Sequence, residues 1–467
     1  MNILFATAEL RPLVSAGGLG EASAGLVAAL RESGVNVTVA LPDYFAWELT
    51  GETEYELDVP EWAAPATVRV GHHVDAGMLA LVNVPGIERP DPYVDENGLG
   101  WTDNTERFAA FGAALGMLPS VIDIDVVHLN DWHTALAPAF LPASVPTLLT
   151  IHNLGHQGGT DHTWLDRLPA RRHSYAWGDG TNPLAGAIQS AYRVSTVSPH
   201  YAKEILTPAD GMGLHLRFAE RNADLIGIRN GIDVRSWDPA NDAHSANFTS
   251  ETLDGKKQAR AELLEHVGWE DTGEPLIIMI TRLVEQKGVD LAFEAAKYLP
   301  GMKARMIVLG SGDLRLADWA RWLQQQQPEH FWFMDGYDVP LSHQMFAGAD
   351  LLLMPSRFEP CGLAQMQAMA YGTLPVVTAV GGLVDTVTDA DASPDGNGFV
   401  ATTNDEAGIV DALHRALRAV RHAGRKKSLQ RRGMTADWSW TEPAQHYIQV
   451  YRDLLPDEAE SAPEVTA

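Results

Sequence analysis

The feature that most limits what this chain can fold into is a strand, a loop and a helix written in one run at residues 351–372, LLLMPSRFEPCGLAQMQAMAYG. The short apolar opening reads as a buried strand, and Pro355 breaks it. A loop holding Ser356, Arg357, Glu359, Cys361 and Gly362 follows, and then helical spacing begins. That handover is the unit of an α/β sheet, whose ligands bind beyond the C-terminal ends of the strands. Pro360 and Gly362 tighten the loop, and the helix that follows turns its first N–H groups towards that edge, so Glu359 is expected among backbone donors. The plain alternative is ordinary packing, with Glu359 solvated and Cys361 a small buried hydrophobe.

The same unit recurs along the chain. A strand at residues 2–8 runs into a loop with Gly17 and Gly18, helical spacing covers 21–33, and a second strand spans 35–41. This is the opening βαβ of a doubly wound sheet, whose glycines let a phosphate approach the backbone. Residues 51–97 read as β-structure at the sheet edge. DVVHLNDWHTALAPAFL brings Asp131, Trp132 and His133 to a strand's end, and VPTLLTIHNLGHQG does the same for His152 and Asn153. For His152 the alternative is a histidine satisfied by backbone groups. Residues 158–184 have little periodicity and read as a long irregular loop or lid.

The pattern restarts at residue 276 with LIIMITRLVEQKGVDLAFEAA, where Arg282 and Lys287 stand in the loop between strand and helix. Their alternative is a pair of solvated surface cations. The expected division is an N-terminal Rossmann-like domain at 1–240, a C-terminal one at 241–440, a helix at 441–455 that packs back towards the first domain, and a disordered acidic tail at 456–467. At 467 residues the chain is too long for one core.

Net charge is −27, which argues against a nucleic-acid partner and leaves high-salt adaptation open as its origin. The single cysteine, Cys361, rules out an internal disulfide and a cysteine-built zinc site. No run approaches the roughly 18 apolar residues of a membrane span, and MNILFATAEL lacks the basic region of a signal peptide. A soluble, cytoplasmic protein is expected.

The wording of these loops goes further than their chemistry. SRFEPCGL, GGLGE, NDWHTALAPAFL, TIHNL, STVSPHYAKEI, RNGIDVRSWDPAND, TRLVEQKGVDL and GYD stand in an order and spacing that resemble the bacterial glycogen synthases and plant starch synthases. The resemblance implies the GT-B fold, two Rossmann-like domains facing across a cleft, with the acceptor on the first and the nucleotide-sugar on the second. It implies a retaining transfer of glucose from a nucleotide-glucose, ADP-glucose favoured, to the non-reducing end of an α-1,4-glucan, without metal or other cofactor. It assigns catalytic roles to His152, Arg282, Lys287 and Glu359, and donor contacts to Gly18, Asn230, Tyr337, Cys361, Gly362 and Leu363. Asp131 falls to the acceptor side. The chemistry suits these types, since a departing nucleoside diphosphate needs cations and the sugar becomes oxocarbenium-like.

Three positions depart from the family pattern. Ser15 stands where the family has a phosphate-contacting lysine, Glu21 replaces an aspartate, and Ala185 replaces a second lysine. Residues 158–184 also lack the family's aromatic-rich wording. Two other readings therefore stay open, a non-catalytic glucan-binding relative and a retaining transferase with a different donor or acceptor, and oligomeric state is not readable.

Overall fold

A computed structural model describes residues 1–96 and 98–455, so the acidic tail expected at 456–467 lies outside the described residues. The chain divides into two compact units, Met1–Gly231 with the stretch that begins at Trp440, and Ile232–Ser439. The first division falls nine residues or so earlier than the expected 240. The reason is that the segment after Gly231 bonds within the second unit: Ile232 N donates to Trp438 O at 2.8 Å, and Asp242 accepts from the Tyr371 hydroxyl at 2.6 Å.

The first unit is built on strands β1 (Asn2–Ala6), β2 (Asn36–Pro42), β3 (Thr50–Glu56), β4 (Thr67–His73), β5 (Gly77–Asn83), β6 (Val126–Asn130), β7 (Thr147–Ile151), β8 (Thr160–Asp161), β9 (Ala176–Trp177), β10 (Gly180–Thr181), β11 (Arg193–Thr196) and β12 (Leu225–Gly227). Nine of them make one sheet in the order β12-β11-β7-β6-β1-β2-β5-β4-β3. It is parallel from β12 to β5, and β4 and β3 add an antiparallel edge. Strands covered on both faces read as continuous apolar runs, which is why Leu4, Phe5 and Ala6 are all fully buried. Only β3 and β4 fulfil the edge role expected for residues 51–97; β5 lies inside, paired with β2. Residues 158–184 are not irregular. They hold the small sheet β8-β10-β9 and two helical segments, His162–Arg167 and Arg172–Tyr175, pinned by short-range hydrogen bonds that leave no hydrophobic period to read.

The first helix spans Gly18–Glu32, not 21–33, because its buried stripe already starts at Leu19 and continues through Ala22, Leu26 and Leu30. Gly18 is thus the first helical residue rather than part of the loop. The last helix, Thr441–Leu454, lies in the first unit, where Tyr451 donates or accepts through its hydroxyl at 2.7 Å from His128 Nδ1.

The second unit carries β13 (Leu276–Ile280), β14 (Arg305–Gly310), β15 (Phe331–Asp335), β16 (Leu351–Met354), β17 (Leu374–Val377) and β18 (Phe399–Val400), all parallel, in the order β15-β14-β13-β16-β17-β18. This is the Rossmann order, and the winding reverses between β13 and β16. In the first sheet it reverses between β1 and β6. Among the described residues no helix is long and apolar enough to cross a membrane.

Candidate active site

In the second unit the loops after β13 and β16 leave the sheet at its switch point, and side chains join them. Arg357 forms a two-pronged ion pair with Asp290 at 2.7 Å on each prong, and its guanidinium also donates to Glu285 O at 2.8 Å. Arg357 N donates to Gln286 O at 2.8 Å. The planar fork of arginine matches a carboxylate, so this clamp fixes one loop against the other.

Within that frame Lys287 Nζ lies 2.6 Å from Glu359 Oε2, which also accepts from the Ser356 hydroxyl at 3.0 Å. Glu359 is 4% exposed. Its carboxylate is therefore held by an ammonium and a hydroxyl, not by the backbone donors that the sequence suggests. The helix starts only at Ala364, five residues after Glu359, and none of its N–H groups donates to the carboxylate among the described residues. Oε1 of Glu359 has no partner within the chain among the described residues, and neither do the N–H groups of Gly362 and Leu363. Gly362 needs its missing side chain: its φ is +74°, and a Cβ would meet Gln365 Oε1 at 2.5 Å. Cys361 is buried. Arg282 is exposed and without an ion pair among the described residues, and Tyr337 is 62% exposed, ahead of a helix that Asp338 caps. The two cations expected to act together thus stand differently, Lys287 engaged and Arg282 open.

In the first unit Asp131 and His152 follow β6 and β7. Asp131 sits at φ +56°, an unusual backbone state for a non-glycine residue, and its Oδ1 accepts from His152 N at 2.7 Å and Asn153 N at 3.3 Å. Burial pushes its carboxyl up to about 7; the two N–H bonds oppose the shift and the charge of Glu9 adds to it. His152 Nε2 lies 2.9 Å from Asn130 Oδ1. The tautomer follows from the neighbours: Asn130 Nδ2 donates to Ala6 O at 2.9 Å, a carbonyl that can only accept, so Oδ1 faces the imidazole and Nε2 carries the proton. Burial lowers the pKa of His152 to about 3, so the ring is neutral and Nδ1 keeps its lone pair. Asn230 is buried, with Oδ1 unpartnered among the described residues.

The departing positions have concrete environments. Ser15 and Gly18 are exposed, and the Ser15 hydroxyl donates to Gly17 O at 3.1 Å. Glu21 stands 3.9 Å from Arg11. Ala185 is fully buried in the helix Pro183–Ser190, its N–H capped by Asn182 at 2.9 Å, so it offers no charge to a ligand. Sequence reasoning missed Glu9, Tyr93 and Asn130. A lone carboxylate closing an apolar strand was the available signal for Glu9. Among the described residues no group of three or more His, Cys, Asp or Glu side chains could hold a metal ion.

Residues 2–219 match the family described as starch synthase catalytic domain, and residues 264–428 match glycosyl transferases group 1. A glycogen synthase of Thioalkalivibrio sulfidiphilus is 39% identical over 97% of this chain and 100% of its own length. The chain belongs to the glycogen synthase family. A second member, from Granulibacter bethesdensis, is 37% identical over 97% of this chain and 99% of its own. The catalytic domain of starch synthase IV from Arabidopsis thaliana, solved with ADP and acarbose, covers 97% of this chain and 99% of its own at 31% identity and a TM-score of 0.86. Sucrose-phosphate synthase from Thermosynechococcus elongatus, at 18% identity and a TM-score of 0.63 over 97% of this chain and 98% of its own, shares the fold. The family's two Rossmann-like domains are those of a GT-B glycosyltransferase, and membership makes this chain a glycosyltransferase of glycogen synthesis.

Proposed function

We propose that the protein transfers glucose, with retention, from a nucleotide-glucose to the non-reducing end of an α-1,4-glucan, with ADP-glucose the favoured donor. The observation that carries this reading is the contact of Lys287 with buried Glu359 at the switch point of the second sheet. The ammonium has three donors and spends one on Glu359, which leaves two for the leaving diphosphate. Glu359 spends Oε2 inside the protein and keeps Oε1 for a sugar hydroxyl, and the free N–H groups of Gly362 and Leu363 suit the same ligand. Arg282 adds an uncommitted cation. Asn230 and Tyr337 complete the donor contacts, with Cys361 and Gly18 contributing their backbone.

A neutral His152 beside the anomeric carbon would not add positive charge to an oxocarbenium-like centre, and Asp131 falls to the acceptor. The first unit is then the acceptor side and the second the nucleotide-sugar side. The ADP and acarbose of the starch synthase IV structure support the same donor and acceptor classes here. The deciding experiment incubates the pure protein with ADP-glucose or UDP-glucose and a maltooligosaccharide. Release of nucleoside diphosphate with chain growth is expected, faster with ADP-glucose. Absence of both would favour the non-catalytic reading, for which the missing lysine at Ser15 is the motive.

A further inference from the structure

The loop ahead of the first helix owes its shape to a carboxylate that stands three residues after β1. Glu9 is 4% exposed, and its Oε2 accepts from Ala16 N at 2.8 Å and Gly17 N at 3.0 Å. Oε1 accepts from the Tyr93 hydroxyl at 2.8 Å. The backbone of Glu9 is fixed in turn by Thr7, whose hydroxyl donates to Glu9 O at 3.0 Å and accepts from Glu9 N at 3.3 Å. The loop lies on the helix's first turn so closely that a Cβ on Gly20 would stand 2.8 Å from Ser15 Oγ. Two successive N–H groups beside a helix start are a ready seat for an anion. Here the protein's own anion fills it. The next N–H, that of Gly18, has no acceptor among the described residues, and none of their ion pairs involves Glu9.

We propose that Glu9 is the positioning residue of the donor loop: it turns the N–H groups of Ala16 and Gly17 inward and leaves Gly18 as the first backbone donor that the donor's diphosphate meets. The proposal rests on the donor reading above. It contrasts with a rival role in which Glu9 competes with the diphosphate for those N–H groups. The two roles differ in sign. A positioning carboxylate helps donor binding, so its removal weakens it; a competing one hinders binding, so its removal strengthens it.

Glutamine separates shape from charge. Its amide oxygen can accept from both N–H groups while its NH2 donates to the Tyr93 oxygen, so Glu9→Gln keeps the pattern of bonds without the charge. Glu9→Ala keeps neither. The test combines hydrogen exchange of the ligand-free full chain, calorimetric titration with ADP, and kcat at saturating donor. For Glu9→Ala we expect the amides of Ala16 and Gly17 to lose protection at least about tenfold while β1 and β6 exchange as in wild type, the ADP Kd to rise about tenfold, and kcat to stay within about threefold. Glu9→Gln should restore most of the protection and hold Kd within about threefold, and Tyr93→Phe should move both readouts in the Glu9→Ala direction by less. Unchanged protection of Ala16 and Gly17 in Glu9→Ala, ADP binding that is unchanged or tighter in Glu9→Ala, or ADP binding more than about threefold tighter in Glu9→Gln, would overturn the proposal. Wild-type protein that binds neither ADP nor UDP would instead sink the donor reading, a failure visible before any variant is made.

Discussion

At the scale of single residues, Lys287 and Arg282 should behave unlike each other although the sequence presents them as a pair. Lys287 is bonded to a buried carboxylate, so Lys287→Ala leaves Glu359 charged and unpaired and should lower the stability of the second unit by about 2 kcal/mol as well as activity. Arg282→Ala removes an exposed side chain and should leave the melting temperature within about 1 °C while activity falls at least about tenfold. A melting temperature for Arg282→Ala well below wild type would contradict this. Glu359→Ala should cost about a hundredfold or more in kcat, the scale of one preorganised electrostatic contact, and wild-type kcat would remove Glu359 from the site. The residue types of these loops were legible in the sequence because a strand end followed by polar and glycine residues marks the ligand edge of an α/β sheet. Their bonding was not. Lys287 and Glu359 stand 72 positions apart, and only the placement of β16 beside β13 makes them neighbours. Glu9 was passed over for the same reason, since Tyr93, which holds its other oxygen, lies 84 positions away in a stretch read only as sheet edge.

At the scale of elements, the periodic segments were legible and their ends and attachments less so. Helical spacing found most of the first helix, but its start was set three residues late, because glycines at 17 and 18 look like loop when their neighbours are not yet known to be buried. The helix Asp254–His266 has no counterpart in the sequence reading, because its many polar residues mask a narrow buried stripe of Ala259, Leu263 and Leu264. On that helix Lys256 is buried, and its Nζ donates to Ala347 O, Tyr371 O and Thr373 Oγ1, each at 2.9 Å. It ties the ends of two further helices to β17, a role no sequence period announces. The last helix makes a sharper test. It enters the first unit at Trp440, whose indole covers Gly25 so closely that a Cβ there would lie 2.1 Å from Nε1. A rigid ring cannot yield that distance by a rotamer change alone, so Gly25→Ala, an otherwise favourable change in a helix, should lower stability by about 2 kcal/mol through overpacking. Thermal unfolding checks it, and Gly25→Ala combined with Trp440→Ala should recover part of the loss if that contact is the cause.

At the scale of the whole molecule, the pH dependence of stability gathers groups that no single loop explains. Three histidines of the first unit are buried and kept neutral: desolvation lowers His133 and His152 to about 3 and His128 well below its usual value. In the unfolded chain each takes up a proton below about 6.5, while the folded protein does not, so their share of the stability is whole above that pH and is lost as the pH falls. Asp131 works in the opposite direction. Its folded value of about 7 lies above the ordinary carboxyl value of 3.8, so the folded state holds a proton that the unfolded state releases, and its contribution is present at low pH and lost as the pH rises through 7. Between about pH 6.5 and 4 three groups therefore favour unfolding as acid is added and one resists it, each by at most about 1.4 kcal/mol per pH unit. Asp131→Asn isolates the resisting group, because an amide oxygen can still accept from His152 N and Asn153 N but cannot ionise. The variant should lose stability more steeply than wild type between pH 7 and 4 and should be the more stable of the two above pH 7.5. The net charge of −27 also changes over this range, as exposed carboxylates take up protons and repulsion relaxes, but it changes alike in both proteins. The difference between their melting curves then reports Asp131 alone, and identical pH profiles would mean that its carboxyl titrates at the ordinary value.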